Sequence, residues 1–349
     1  MSEIIKLEGL EAIRLRSGMY VGDVQDGSAL HHLFYEVFSN SLDEFLEKHC
    51  TTIWVKLEAP NKISVLDNGR GISVAFNKKE NKYDLELALD SVHAGGKFNK
   101  NLYARSSGLN GVGIKAVNAL SIDLVVDVYK KDKHYSVKYS QGKQTQKVTE
   151  DNYLDFRVIT GTKLTFVPDI EIFKNITTFD SKTIVEIIKQ TAYLNKGLKV
   201  FFEDINGTIQ EFFYENGLLN FINDLDNLPG LAKPIILEKE QNNIQVNLAL
   251  KWGNTFQEQY KCYTNNSFQS DGGTHLTCIR TSLTKVLLPY MKDEKVEVIS
   301  DDIREGLTYI ISIYIADPRF SSQTKSKLVN SEISPDLNSI IQENLKNYF

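Results

Sequence analysis

Cysteine is scarce. The 349-residue chain holds only Cys50, Cys262 and Cys278, an odd number with no C-x-x-C spacing. That argues against a disulfide framework or a cysteine metal site and leaves three small buried side chains. Long apolar runs are absent, so no segment reads as a membrane span. The opening "MSEIIKLEGLEAI" has neither the basic start nor the apolar core of a signal peptide, and the expected compartment is the cytoplasm. Positive charge is in deficit: 40 Lys and Arg face 45 Asp and Glu, a net charge of −5. A free-standing, non-specific DNA binder needs clustered cations to neutralise phosphates, so this balance speaks against one, though not against a local basic surface. Repeats and low-complexity tracts are also missing. What remains, 42% hydrophobic and 24% charged residues, is the composition of a folded globular chain. Its length exceeds one ordinary core and points to two domains.

Periodicity supplies the elements. A short helix is expected over Leu10–Arg16. "ALHHLFYEVFSNSLDEFLEKHC" spaces Leu30, Leu33, Phe34, Val37, Phe38, Leu42, Phe45 and Leu46 by three and four, an amphipathic helix. "TTIWVKLE" and "KISVLDNG" predict two strands turning at Pro60 and Asn61, with Ile63, Val65 and Asp67 on one face. A helix over "DLELALDSV" and another from about Ile114 to Leu120 follow. "DLVVDVYKK", "KHYSVKYSQG" and "GTKLTFVPD" read as successive antiparallel strands, "SKTIVEIIKQTAYLN" as a helix, and the next segment as a hairpin turning at Asn206–Gly207. A domain boundary is expected near Glu215–Gly217. Beyond it come strands in "IQVNLALKW", "YKCYTNNS" and "EGLTYIISIYIADP", a long helix from "HLTCIRTSLTKVLLPYM", a polar loop "RFSSQTKSKLV" and a final helix.

Several short motifs could carry chemistry. Glu36, Asn40 and Asp43 stand at i, i+4 and i+7, and His32 lies one turn earlier on the same stripe. Alone, such a stripe is a solvated helix face. The alternative is a base with an orienting imidazole, an oxygen of the kind Mg²⁺ accepts, and a supporting carboxylate. In "VLDNGRGIS" a strand runs into Asp67, and Gly69 and Gly71 bracket Arg70. This is either an Asp-capped turn or a carboxylate that takes a hydrogen bond from an amino group, with glycines clearing space for a flat ring. "HAGGKF" places Gly95, Gly96 and Lys97 as a hinge with a surface charge. "SSGLNGVGIKAVNAL" carries Gly108, Gly111 and Gly113 as G-x-x-G-x-G before a helix, which is neither a P-loop nor a dinucleotide fingerprint. Its amides could face an anion, or it could be a bend. Gln323 and Lys325 sit in the polar loop near the end. Each piece is weak alone, but their order forms one set that suits a ligand with a base and phosphates.

In that order, "EVFSNSLDE", "LDNGRGI", "HAGGKF", "GLNGVGIKAVNAL", "DGGTHL", "REGL" and "DPRFSSQTKSKL" resemble the ATPase portion of bacterial type IIA topoisomerase B-type subunits across essentially the whole chain. "QDGSALHH" and "SSQTKSKLV" favour the gyrase pattern over topoisomerase IV. The resemblance implies an α+β fold, a GHKL (Bergerat-type) α/β sandwich over 1–215. An α+β transducer domain, like the second domain of ribosomal protein S5, would follow over 216–349. It implies ATP as substrate and Mg²⁺ as its metal. Glu36 would be the general base with His32 beside it, Asn40 the Mg²⁺ ligand, and Asp67 the adenine-reading carboxylate assisted by Thr162. Tyr103 would meet the adenine edge. Asp43, Arg70, Gly71, Ile72, Gly95, Gly96, Lys97, Gly108, Leu109, Asn110, Gly111, Val112 and Gly113 would complete the nucleotide site. Gln323 and Lys325 would reach the γ-phosphate from the transducer.

The implied partners are a second copy through the N-terminal region, an A-type subunit in a heterotetramer, and double-stranded DNA, with no membrane. ATP binding would close a dimer around DNA and hydrolysis would reopen it. The sequence departs from the family pattern at Ser17 and Ser73 for Pro, Ser39 for Asp, Asn110 for His, Lys130 for Arg and Ala104 for Lys. No E-G-D-S-A-type acidic cluster is present, so DNA cleavage by this chain is not expected. A mismatch-repair or chaperone ATPase lacks reason to carry "DGGTHL" and "SSQTKSKL", and no phospho-acceptor helix of a histidine kinase precedes the site. A nucleotide-binding regulatory or mimic module without efficient turnover is opposed by the intact Glu36.

Overall fold

The structure, a computed structural model, describes residues 9–91, 111–153, 155–227 and 230–349. The chain divides into two compact units, residues 1–192 with 197–213, and residues 193–196 with 214–349.

The first unit opens with helices α1 (Leu10–Leu15), α2 (Ser17–Val21) and α3 (Ser28–Leu46). Helix α3 begins after Gly27, whose left-handed backbone (φ 82°) turns the chain into it. Its expected stripe is real: Leu30, Leu33, Phe34, Val37, Phe38 and Leu42 are buried, and Phe34 stacks on Phe38 at 5.5 Å. Each such side chain contributes about 2 kcal/mol on leaving water. Strands β1 (Thr52–Ala59) and β2 (Lys62–Asp67) pair antiparallel, from Ile53↔Asp67 to Ala59↔Lys62. The small hairpin β3 (Phe76–Asn77) and β4 (Lys82–Tyr83) leads into α4 (Asp84–Asp90), and α5 follows at Gly113–Ala119. Then come β5 (Ser121–Lys130), β6 (Lys133–Ser140), β7 (Lys143–Asp151), β8 (Thr160–Pro168), helix α6 (Ser181–Leu194), β9 (Lys199–Glu203) and β10 (Ile209–Phe212).

Among the described residues these strands make one eight-stranded sheet, ordered β10-β9-β1-β2-β8-β5-β6-β7. All neighbours are antiparallel except β1 and β9, which run parallel. Burial alternates along β1, with Ile53, Val55 and Leu57 inward, whereas β2 is buried continuously from Ile63 to Asp67; Leu124 and Val126 of β5 and Leu164 of β8 are buried as well. Helix α3 packs on β2, β8 and α5, so the residues of α3 and the end of β2 lie together. The sequence reading missed β7. Its residues "KQTQKVTED" are polar and exposed on both faces because it is an edge strand, with no apolar alternation to betray it.

The second unit holds α7 (Leu218–Leu225), β11 (Ile235–Gln241), β12 (Ile244–Trp252), β13 (Gln259–Thr264), β14 (Ser267–Phe268), α8 (Thr274–Asp293), β15 (Leu307–Tyr314) and α9 (Ser334–Tyr348). Its sheet runs β11-β12-β15-β13-β14, with β13 and β15 parallel. Leu307, Tyr309, Ile311 and Ile313 pack with α8 and α9, while Ile310 joins a separate cluster with Tyr193, Phe221, Ile222 and Tyr263. Strand β15 is buried on both faces, which is why its sequence reads as a continuous apolar run. The edge strand β11 and the short helix α7 were not legible in the sequence.

The three cysteines are buried free thiols. Burial pushes the Cys50 and Cys262 thiols up to about 12. No helix of the described residues is long and apolar enough to cross a membrane.

Candidate functional site

The polar stripe of α3 is not a solvated face. Glu36 is 8% exposed and Asp43 is buried, while Asn40 is partly buried. His32 Nε2 lies 3.4 Å from Glu36 Oε1, one helical turn away. The Asn40 amide nitrogen donates to the Glu36 carbonyl at 2.7 Å, and the Ser39 hydroxyl donates to the same oxygen at 3.1 Å. The Glu36 side chain reaches the first residue of α5. A β-carbon built on Gly113 would stand 1.8 Å from Glu36 Oε2, so only glycine leaves room for that carboxylate. Gly111, just before α5, has φ 59°, a backbone that glycine adopts without strain, and Val112 caps the helix.

Strand β2 delivers Asp67 to a second buried position, 4% exposed. Ser41 Oγ donates to its Oδ2 at 2.9 Å, and the Gly69 N–H donates to its Oδ1 at 2.9 Å. The Thr162 N–H approaches Oδ1 at 3.4 Å. Burial raises the Asp67 carboxyl from 3.8 to about 6, and the nearby Glu44 charge adds to the rise, although these hydrogen bonds pull the other way. Gly161 makes the approach of β8 possible: a β-carbon there would lie 2.0 Å from the Asp67 carbonyl oxygen.

The loop after Asp67 is tied down on three sides. Thr160 Oγ1 donates to the Gly69 carbonyl at 2.8 Å, and Thr162 Oγ1 accepts from the Ile72 N–H at 3.1 Å. Lys130 Nζ donates to the carbonyls of Arg70 and Gly71 at 2.6 and 2.8 Å, and burial lowers its pKa. Arg70 forms a bidentate pair with Glu44, Nε to Oε2 at 3.0 Å and Nη2 to Oε1 at 2.7 Å. Burial alone would raise the Glu44 carboxyl, but the bonds and charge of Arg70 outweigh it and hold the carboxyl below its ordinary value. Gly71, with φ 72°, passes within a β-carbon's 2.8 Å of the Gly161 carbonyl oxygen.

His32, Glu36 and Asn40 therefore share α3 with Asp43, while Gly111, Val112 and Gly113 lead into and begin the packed helix α5. Asp67, Arg70, Gly71, Ile72 and Thr162 form a linked second group, joined to α3 through Ser41 and Glu44. Gln323 and Lys325 belong to the second unit, where Gln323 is partly buried and Lys325 is buried. Gly95, Gly96, Lys97, Tyr103, Gly108, Leu109 and Asn110 lie outside the described residues. Among the described residues no three His, Cys, Asp or Glu side chains converge as a metal cage. Asn40 directs its amide nitrogen to the helix backbone, and its amide oxygen has the hard-donor character that Mg²⁺ accepts beside phosphate oxygens. The residues fit that metal.

Sequence reasoning missed Ser41, Glu44 and Gly161. Ser41 and Glu44 follow Asn40 by one and four residues, and Gly161 precedes Thr162 in a Thr-Gly-Thr step that opens a strand. Those short-range signals gain meaning only once β2 and β8 are known to be neighbours. Chemically, one group offers a buried carboxylate beside an imidazole at a helix start. The other offers a buried acceptor walled by glycines.

Comparisons with known proteins bear on both units. The family described as histidine kinase-, DNA gyrase B-, and HSP90-like ATPase matches residues 25–169, and DNA gyrase B matches residues 197–349. The DNA gyrase B protein of Caulobacter vibrioides is 39% identical over 362 residues, covering 98% of this chain and 45% of that protein. The chain thus spans about half the length of the curated relatives it matches. The crystal structure of the 43K ATPase domain of Thermus thermophilus gyrase B in complex with an aminocoumarin is similar at TM-score 0.79 and 30% identity, covering 97% of this chain and 89% of that one. The topoisomerase IV ATP-binding domain of Francisella tularensis, with a small-molecule inhibitor, shares the fold at TM-score 0.76 and 24% identity, covering 97% and 91%.

Proposed function

The chain belongs to the gyrase B family and has its GHKL-type ATPase fold, and from that premise we propose that it binds and hydrolyses ATP as the clamp of a type IIA DNA topoisomerase. The observation that carries this reading is the Glu36 carboxylate held beside His32 and against Gly113, the first residue of α5. Residues 1–215 form the ATPase portion and 216–349 the transducer.

Glu36 takes the proton of the attacking water, and His32 steadies the carboxylate and the water. Asp67 accepts a hydrogen bond from the adenine amino group, with Thr162 beside it, and Gly71 and Gly161 let the neighbouring backbones close in around that carboxylate. Arg70, Ile72, Asp43, Gly111 and Val112 complete the described part of the nucleotide site. Gly95, Gly96, Lys97, Tyr103, Gly108, Leu109 and Asn110 supply the rest. Asn40 would hold Mg²⁺, which when bound neutralises charge on the phosphates. Gln323 and Lys325 of the transducer meet the γ-phosphate, where a cation stabilises charge that grows during transfer.

The active assembly is a homodimer closed by ATP through the N-terminal region. It works with an A-type subunit in a heterotetramer and captures double-stranded DNA for passage through a break made elsewhere. The gyrase reaction, negative supercoiling, is favoured over decatenation by the names of the relatives. The compartment is the cytoplasm, which suits three unpaired thiols.

Release of inorganic phosphate from ATP by this chain, with and without Mg²⁺, tests the reading. Turnover that requires Mg²⁺ and rises more than linearly with protein concentration supports an ATP-closed dimer. Nucleotide binding with no phosphate release would favour the second reading, a regulatory module without turnover.

A further inference from the structure

The motif "DGGTHL" is not used by the nucleotide site, yet it carries two of the tightest glycine contacts in the second unit. Gly273 has φ 133° and ψ −149°, a region that is essentially restricted to glycine. A β-carbon built on it would lie 2.2 Å from the Leu328 carbonyl oxygen and 2.6 Å from the Leu328 nitrogen. The two backbones pair there as a parallel bridge. The Leu328 N–H donates to the Gly272 carbonyl at 3.0 Å, and the Thr274 N–H donates to the Leu328 carbonyl at 3.1 Å. The Thr274 hydroxyl approaches the same carbonyl at 3.4 Å. One step earlier, the Asp271 N–H donates to the Ser326 carbonyl at 2.9 Å.

Those contacts grip the loop on the C-terminal side of Lys325, and the loop closes on itself around that residue. The Ser321 N–H donates to the Lys327 carbonyl at 3.0 Å, and the Lys325 N–H donates to the Ser322 carbonyl at 3.1 Å. Lys325 has φ 58°, a left-handed backbone that a non-glycine side chain adopts only when its surroundings hold it there. The turn is anchored in its own right. Its Gly272 N–H donates to the Gln269 carbonyl at 3.2 Å, and the Gln269 N–H donates to the Cys262 carbonyl of β13 at 2.8 Å. Beneath it, the buried His275 Nε2 stands 3.2 Å from Gln269 Oε1. A set of backbone bonds therefore runs from β13 through the glycine turn to Ser326 and Leu328, the first of which adjoins Lys325 in the chain.

We infer that the Gly272–Gly273 turn is a positioning element for hydrolysis, fixing the loop that holds the Lys325 ammonium in its working place. The inference rests on the role proposed above for Lys325. Gly273 touches no nucleotide in this account; it acts through Leu328, Ser326 and the backbone of Lys325. Adding one methyl at Gly273 must break the bridge, because the atoms it meets are backbone and cannot rotate away.

The test is a double-mutant cycle in the 349-residue chain, read by single-turnover phosphate release and by binding of a non-hydrolysable ATP analogue. Gly273→Ala is expected to slow hydrolysis about tenfold to a hundredfold, the scale of a misplacement of about 1 Å, while analogue affinity changes by less than about twofold. In the Lys325→Ala background the same change should slow hydrolysis no further than about twofold. Thr274→Val, which removes only the hydroxyl contact to Leu328, should give the same pattern at a smaller amplitude even where Gly273→Ala folds poorly. Equal slowing by Gly273→Ala with and without the Lys325 amine would overturn the inference, as would a Thr274→Val variant at the parent rate. Lys325→Ala alone tests the underlying role: hydrolysis at the parent rate in that variant removes the premise rather than the clamp.

Discussion

A β-carbon on Gly113 would stand 1.8 Å from Oε2 of Glu36, so a carboxylate on one helix occupies the space that a side chain on another would need. The relationship joins α3 to the start of α5 and fixes the proposed base at the first turn of that helix. Gly113→Ala should therefore displace the carboxylate. Alanine is the better helix former by about 1 kcal/mol, which offsets part of the clash in the fold. Phosphate release should drop about a hundredfold while thermal stability moves little. Parent-rate turnover in this variant would mean that the carboxylate position is unimportant.

Asp67 makes a pH prediction. Its carboxyl is raised from 3.8 to about 6, chiefly by burial, so the folded chain holds that proton more tightly than the unfolded one. This is a cost that is absent below about pH 4, grows through the interval, and is fully present above about pH 6. A rise of that size corresponds to about 3 kcal/mol. Asp67→Asn should raise the melting temperature most at pH 8 and by progressively less toward pH 4. An offset independent of pH would contradict the burial argument.

The same carboxyl should govern affinity. An amino donor needs an oxygen acceptor, and protonation converts one oxygen of Asp67 into a donor. Calorimetric binding of a non-hydrolysable ATP analogue should weaken as pH falls below about 6, and binding there should release protons. In Asp67→Asn that pH dependence should disappear. Its persistence would place the titrating group elsewhere.

Lys130 holds two carbonyls of the loop after Asp67 through its ammonium group. Lys130→Ala removes two charge-assisted bonds, each of the order of 1.5–3 kcal/mol locally, from a loop that is also tied by Thr160 and Thr162. Analogue affinity should fall about fivefold to tenfold, a loss of about 1 kcal/mol after the loop relaxes. Single-turnover hydrolysis of bound ATP should stay within about twofold. A loss in the chemical step instead would tie Lys130 to the reaction rather than to the loop.

Much of the fold was legible because burial writes a period into the sequence. Helix α3 announced itself by its three-and-four spacing, and β15 by an apolar run that needs two buried faces. Strands β7 and β11 were silent for the converse reason: each is a sheet edge with mostly exposed residues, so no alternation distinguishes it from a polar loop. At the site, Glu36 and Asp67 were readable from local motifs. Ser41, Glu44 and Gly161 were not, since their roles depend on β2 lying between β1 and β8, a long-range pairing without a local sign. Glycine at 113 was legible as a loop feature, but the carboxylate filling its missing side chain was visible only in three dimensions.

The most direct test of the account is the pair of numbers obtained from Glu36→Gln: affinity for a non-hydrolysable ATP analogue and the single-turnover rate of phosphate release from MgATP. Glutamine keeps the size of the side chain beside His32 and Gly113 but cannot take a proton from water. Affinity should stay within about twofold of the parent while the rate falls by about 10²–10⁴. Hydrolysis at the parent rate by Glu36→Gln would contradict the account.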